Sequence, residues 1–306
     1  MKMDKRQKIF FKFLFFTFVL SSILYIYINN QYQKYDVGTP EHKSEELNEI
    51  QSWITFDGDW SSYVDAGIID DFGGMLETTN VTVSFWVNYT NVSEVWMPFG
   101  VQNDHSGSSF SAYLNGNVSE ASPFHLAGTV NQITFNLRDE FSKYLRVATS
   151  GNINISDGEW HHIALTAKPN AKHAAIYIDG RNQPIDSNII SNITHYDFHD
   201  FEGFLAVGAN NMEGKIEQTL PGDLDEFRIY QTSLTSKEIF SIYSKGRKSI
   251  INVLGNPNDN TLILYYPFNK NEEMIAYDFS GKGHNGIIHN ATFSYLPNIN
   301  ISEKSI

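Results

Sequence analysis

An all-β sandwich of two antiparallel sheets is the fold class this sequence predicts, and three observations predict it. Apolar and polar residues alternate in many short runs, as in VTVSFWV at 81–87, where Val81, Val83, Phe85 and Val87 oppose Thr82, Ser84 and Trp86. That is the period of a strand with one face in a core. The runs are punctuated by Gly, Asn and Asp, which tolerate turn geometry. Long helical periodicity is almost absent after residue 50, and aromatic residues make up 14% of the chain, a level that suits strand-rich cores and sugar-stacking surfaces alike.

The first element in chain order is of another kind. Ile9 to Ile28 is 20 residues long and carries one charge, Lys12. As a helix it spans about 30 Å, the thickness of a bilayer core. Lys2, Lys5, Arg6 and Lys8 precede it, and Asp36, Glu41, Glu45 and Glu46 follow. The positive-inside bias therefore keeps residues 1–8 in the cytosol and sends the remainder across. A cleaved signal peptide would have a shorter apolar region ending at a small-residue site, whereas this run continues past Ser21 to Ile28. The expectation is a single-pass type II membrane protein: cytosolic tail 1–8, transmembrane signal anchor 9–28 and a polar, acidic stalk 29–50. Its C-terminal domain would be extracellular, luminal or on an envelope surface.

From Trp53 the strand runs begin. After VTVSFWV come HHIALTA (161–167), AAIYIDG (174–180), FLAVGA (204–209), DLDEFRIY (223–230) and LILYYPF (262–268). Asp179-Gly180 is a two-residue hairpin signal. One helix stands out: Thr235 as N-cap with Glu238 three residues later makes a capping box, Ile239, Ile242 and Tyr243 form its apolar stripe, and Gly246 ends it. The adjacent His161 and His162 open a strand, so they point to opposite faces and cannot jointly ligate one ion without a bulge. Trp160, His162, Ala164 and Thr166 share one face, and His161, Ile163 and Leu165 the other. Packing and backbone hydrogen bonding are their expected roles.

Five segments occur in a familiar order: ITFDGDWSSYVDAG, VTVSFWV, DGEWHHIALTA, AAIYIDGRNQ and GDLDEFRIYQTSLTSKEI. The chain resembles the laminin-G-like jelly-roll domains of the concanavalin A-like lectin/glucanase superfamily over Trp53 to Gly246. The resemblance implies two packed antiparallel sheets of six or seven strands, one of them concave, with the jelly-roll domain at 51–248. Residues 262–293 resemble the segment that usually precedes the FDG strand, so the extension 249–306 is expected to fold back on the sandwich; the other reading is a second, truncated unit.

Such jelly rolls often carry a structural calcium. Asp278 in the glycine loop DFSGKGHNG is the first candidate, with Asp57 and Asp225 its partners by resemblance; each also reads as a turn or strand-end acid. His195, Asp197 and His199 have ligand-like spacing in an extended segment, though Asn, Asp and His are common in surface loops. Glucanases of the superfamily use alternate acids on one strand. Here Asp223-Leu224-Asp225-Glu226 lacks the first Glu and sets Glu226 on the opposite face, so no catalytic residue is assigned.

The chain has no cysteine, which excludes thiol chemistry and disulfides, and a net charge of −13 with no basic cluster outside the N-terminus, which excludes nucleic acid as a partner. Eight sequons, at Asn80, Asn88, Asn91, Asn117, Asn154, Asn192, Asn290 and Asn300, are about twice the chance number and suit a glycosylated ectodomain. The reading is a membrane-anchored recognition protein whose partner is a glycan or an extracellular protein. A carbohydrate-active enzyme with an unrecognised site and a non-binding structural surface or envelope protein are the alternatives. A groove lined by aromatics and acids would favour binding or catalysis; a flat face would favour the structural role.

Overall fold

The computed structural model describes residues 51–68, 80–91, 93–102, 109–114, 132–138, 144–150, 153–171, 173–186, 203–247, 260–269 and 274–295. The expected tail, anchor and stalk lie outside the described residues, among which no helix is long and apolar enough to cross a membrane.

Two sheets make a sandwich with one short helix. The first contains β1 (Ser52–Asp57), β3 (Val81–Tyr89), β8 (His161–Lys168), β9 (His173–Ile178), β10 (Arg181–Asn182), β15 (Pro221–Tyr230), β16 (Leu262–Tyr266) and β19 (Thr292–Tyr295). Its order is β10-β9-β8-β3-β15-β1-β19, with β16 also against β15. The second contains β2 (Tyr63–Ile68), β4 (Trp96–Gln102), β5 (Ser109–Leu114), β6 (Ile133–Arg138), β7 (Tyr144–Thr149), β11 (Ile185–Asp186), β12 (Phe204–Val207), β13 (Asn210–Met212), β14 (Lys215–Glu217), β17 (Ile275–Ala276) and β18 (Gly286–His289). Its order is β11-β7-β6-β5-β4-β12-β2-β18-β17, with β13 joining β4 and β14 joining β13. The named strands pair antiparallel except for β13 beside β4, and an isolated bridge between Met97 and Thr219 is also parallel. Both sheets exceed the six or seven strands implied by the resemblance, because short strands and the segment after residue 260 add to each.

The core lies between the sheets where the alternating residues meet. Phe85, Phe99, Phe110, Phe135 and Phe227 form a continuous run of ring contacts at 5.2–6.4 Å. All five are essentially inaccessible to solvent, and each such side chain contributes about 1.5–3 kcal/mol on burial. Phe56 enters the same core over Gly208, where φ is +84° and an added Cβ would meet the ring at 2.4 Å.

β15 organises the first sheet. It pairs with β3 along one side, and on the other with β1 at its start (Ile54 opposite Leu224) and β16 at its end (Ile229 opposite Leu264). β16 thus continues the line of β1. β19 then pairs with β1, and β18 with β2, so residues after 260 supply strands to both sheets. A register shift opposite Ile229 and Tyr230 breaks the simple alternation in LILYY. Ile263, Leu264 and Tyr266 enter the main core, while Leu262 and Tyr265 pack with Tyr230 on the other face.

Helix α1 (Ser236–Lys245) carries the full Thr235–Glu238 capping box and closes at Gly246. It covers the outward face of the first sheet: Ile239 packs with Ala164, Ala175 and Tyr177, and Tyr243 stacks on Trp86 at 5.7 Å. Tyr177 and Ser236 join by their hydroxyls at 3.0 Å.

Candidate functional site

The site grows from the histidine pair. Because β8 alternates, the two imidazoles part at its first two residues. His162 turns under Trp86 and Tyr243 on the helix-covered face and lies 3.2 Å from the Ser84 hydroxyl. Burial pushes its imidazole down to about 3, and the Arg228 guanidinium adds to the effect, so it is neutral at physiological pH. His161 turns the other way, between two carboxylates: Nδ1 is 2.9 Å from Asp179 Oδ2 and Nε2 is 3.2 Å from Asp157 Oδ1. The bond to Asp179 raises the His161 pKa above its usual value, against a smaller opposing effect of burial.

Asp179 is held by its turn. Asp179 (φ 49°) and Gly180 (φ 72°) both occupy the left-handed region, as a two-residue hairpin between β9 and β10 requires. Asp179 Oδ1 also accepts the His162 backbone N–H at 2.9 Å. Burial alone would raise this carboxyl, but the His161 and His162 bonds outweigh it and its pKa is lowered. Gly180 has a second reason to be glycine: a Cβ there would meet the rings of Tyr243 and Phe240 at 2.9 and 3.0 Å. The hairpin and α1 therefore sit close together beside His161.

Between them opens a cleft of about 390 Å³. Ile153, Ile178, Phe240 and Tyr243 form its apolar wall, and Asn154, His161, Asp179, Arg181 and Gln183 its polar rim. Phe240 is 54% exposed although it sits on the core-packed helix. An apolar wall with amide, imidazole, carboxylate and guanidinium groups around it can take a small molecule with an apolar face and a rim of hydroxyls.

On the helix-covered face, where Asp225 stands opposite Trp86, the acids are closed in by ion pairs. Asp225 is fully buried and accepts from Arg247 Nε at 3.0 Å. The Arg247 guanidinium lies over Trp160, 3.4 Å from its ring centre, and 5.1 Å from that of Trp53. Glu226 is fully buried as well; it pairs with Arg228 and accepts the Tyr265 hydroxyl at 2.8 Å. The expected alternation fails here because Glu226 adopts φ 55° in a bulge opposite β3, which turns its carboxylate toward Arg228 and Tyr265 instead of the core. Asp223 is half-buried and accepts from the Thr55 hydroxyl at 2.6 Å. None of these acids faces an open cleft as a pair.

The three calcium candidates do not assemble. Asp278 accepts the N–H groups of Tyr265, Ser280 and His284 and the Ser280 hydroxyl at 2.8–3.0 Å. Those hydrogens occupy the positions a cation would need. Asp225 already faces a guanidinium, and Asp57 caps the N–H of Asp59 at 2.9 Å. Among the described residues no group of three His, Cys, Asp or Glu side chains could hold a metal ion. The three acids are thus held apart by separate partners, and turn capping accounts for Asp57 and Asp278. His195, Asp197 and His199 lie outside the described residues.

Of the sequons, Asn91, Asn154 and Asn290 are exposed, Asn80 and Asn88 half-buried, and Asn117, Asn192 and Asn300 outside the described residues. The Asn88 amide donates to the Gly158 carbonyl at 2.8 Å, so the atom a glycan would use is engaged there. The cleft residues Arg181, Gln183 and Phe240 escaped the sequence reading. The signal available was an aromatic at Phe240, off the apolar stripe of a capped helix.

The sequence pattern of the Laminin_G_3 family, described as concanavalin A-like lectin/glucanases superfamily, matches residues 57–240. No curated protein matches. Among solved structures, a Bacteroides ovatus protein provisionally assigned to carbohydrate binding aligns at 15% identity with a TM-score of 0.51, over 81% of this chain and 59% of its own. The likeness is one of fold, and this chain spans about three fifths of that protein. The CBM40 of a Ruminococcus gnavus IT-sialidase aligns at 14% identity and TM-score 0.44, over 63% of this chain and 96% of its own. A heptameric SAP-like pentraxin from Limulus polyphemus aligns at 12% and 0.43, over 66% and 85%.

Proposed function

The chain belongs to the Laminin_G_3 family of the concanavalin A-like lectin/glucanases superfamily, and from that premise we propose that it is a membrane-anchored recognition protein whose ectodomain binds a short glycan in the cleft beside His161. The carrying observation is the cleft itself: about 390 Å³, walled by Phe240 and Tyr243 and rimmed by Asn154, His161, Asp179, Arg181 and Gln183. That volume is at the small end of the roughly 300–1,000 Å³ typical of ligand sites, which favours a short saccharide. The net charge of −13 repels polyanions and favours a neutral sugar. A concave, ring-walled site also supports binding over a purely structural role, and the burial of Asp225 against Arg247 and of Glu226 against Arg228 supports binding over hydrolysis. Anchoring through residues 9–28 would hold this domain on the outer, luminal or envelope side.

A glycan array probed with the full-length chain in detergent tests the reading. Short neutral saccharides should be retained, and Arg181→Ala with Gln183→Ala should lower retention about tenfold, the effect of losing roughly 1.4 kcal/mol of hydrogen bonding. An array left empty by the chain made without N-glycosylation, or binding unchanged by both substitutions, would refute it.

A further inference from the structure

Asn154 is at once a rim residue of the cleft and the acceptor of a sequon, Asn154-Ile155-Ser156. Ile155 is buried in the main core and pins the segment, while Asn154 is exposed. Among the described sequons this placement is unique to Asn154. We propose that the glycan carried by Asn154 folds into the chain's own cleft, its first N-acetylhexosamine lying against Phe240 and Tyr243, so that glycosylation at this one position governs access for outside ligands. The proposal rests on the cleft being shaped for sugar.

The chemistry of attachment is explicit. The Asn154 Nδ2 forms a bond to the anomeric carbon of a polyprenyl-diphosphate oligosaccharide; the bond from that carbon to the diphosphate breaks, and the amide loses one proton. The tethered sugar then faces the cleft at the millimolar effective concentrations of a short linker, high enough to compete with free saccharide. The wall suits it: Ile153 and Ile178 can receive an acetamido methyl, while Arg181 and Gln183 offer donors to its carbonyl and hydroxyls. An exposed Phe240 on a packed helix finds a partner in the sugar's apolar face.

The test uses full-length chain made in a eukaryotic secretory host, with glycopeptide mass spectrometry and endoglycosidase digestion of the folded protein. The Asn154 glycan should be cut at least tenfold more slowly than those on the exposed Asn91 and Asn290, and Phe240→Ala should erase that gap. Asn154→Gln should raise affinity for the probe N,N′-diacetylchitobiose several-fold. A chain glycosylated at Asn91 but bare at Asn154, equal digestion at all three positions, or a gap that survives Phe240→Ala overturns the proposal. The two readings fail separately. Protection erased by Phe240→Ala, with an array left empty by Asn154→Gln, would uphold the seat of the self-glycan in the cleft but sink both recognition of outside glycans and the control of access. Equal digestion with equal array binding by wild type and Asn154→Gln would do the reverse.

Discussion

The cleft around His161 and the ion pairs around Arg228 use the same materials, carboxylates facing cationic side chains on one sheet, and differ in burial. Glu226, Asp225 and Arg228 are at most 2% exposed, whereas Asp157 and Asp179 keep about a third of their side chains in water. The buried cluster is also incompletely satisfied: Glu226 Oε1 and Arg228 Nε have no hydrogen-bond partner among the described residues. Charges withdrawn from water so completely can only serve each other. Those at the cleft still exchange with solvent and are therefore available to a ligand. Composition does not separate a lock from a binding site; solvent access does.

The contrast is broken most directly at Arg228. Removing one partner of a buried pair leaves the other charge uncompensated, at about 3–5 kcal/mol. Arg228→Ala should lower unfolding stability by that amount in denaturant titration, while Arg228→Met combined with Glu226→Leu should recover most of it. A single-mutant loss under about 1 kcal/mol would show the pair to be hydrated, and the distinction from the cleft would be false.

The second effect in size concerns the two histidines. His162 has a folded pKa near 3 against an ordinary value of 6.5. Between those values the unfolded chain binds a proton that the folded chain refuses, so stability falls as pH drops from about 6.5 toward 3 and is unaffected above. At about 1.4 kcal/mol per pH unit, the loss on going from pH 7 to pH 4 is roughly 3 kcal/mol from this residue. His162→Gln keeps a polar partner for Ser84 without titrating, so its melting curve should change less by that amount. An identical acid slope in wild type and variant would place His162 in water, not beneath Trp86.

How far these regions could be read from sequence follows from the range of the interactions. Alternation in VTVSFWV and HHIALTA, the Asp179-Gly180 turn and the Thr235–Glu238 box are set by neighbours a few residues away, so they were legible. The bulge at Glu226 was not, because it depends on how β15 meets β3 across some 140 residues of chain, and one extra residue reverses a side chain's face. The shift within LILYY has the same origin. The cleft was illegible for a further reason: it exists only where α1 docks on the β9–β10 hairpin, and nothing local to Arg181 or Phe240 announces that meeting. The surroundings of Asp278 were illegible for the same reason, since a sequence shows the aspartate but not the four donors that meet its oxygens.

The smallest effect is the most discriminating, and it belongs to Asp179. Asparagine tolerates the left-handed turn and can still accept the His162 N–H, so Asp179→Asn removes little except the charge facing His161. With both partners partly solvated, the ionic part should be worth only about 0.5–1 kcal/mol. Its pH dependence carries the sign. The His161 pKa is raised in the folded chain, so its contribution is fully present below the unfolded value of 6.5 and lost as pH rises through the folded value. The Asp179 pKa is lowered, so its contribution is present above 3.8 and lost as pH falls through the folded value. The stability difference between wild type and Asp179→Asn should therefore be widest between about pH 4 and 6.5 and narrow toward pH 9. A difference at Asp179 that stays flat from pH 5 to pH 9 would mean that His161 is held without charge. The cleft would then be as locked as the ion pairs, and a ligand would find no proton to exchange there.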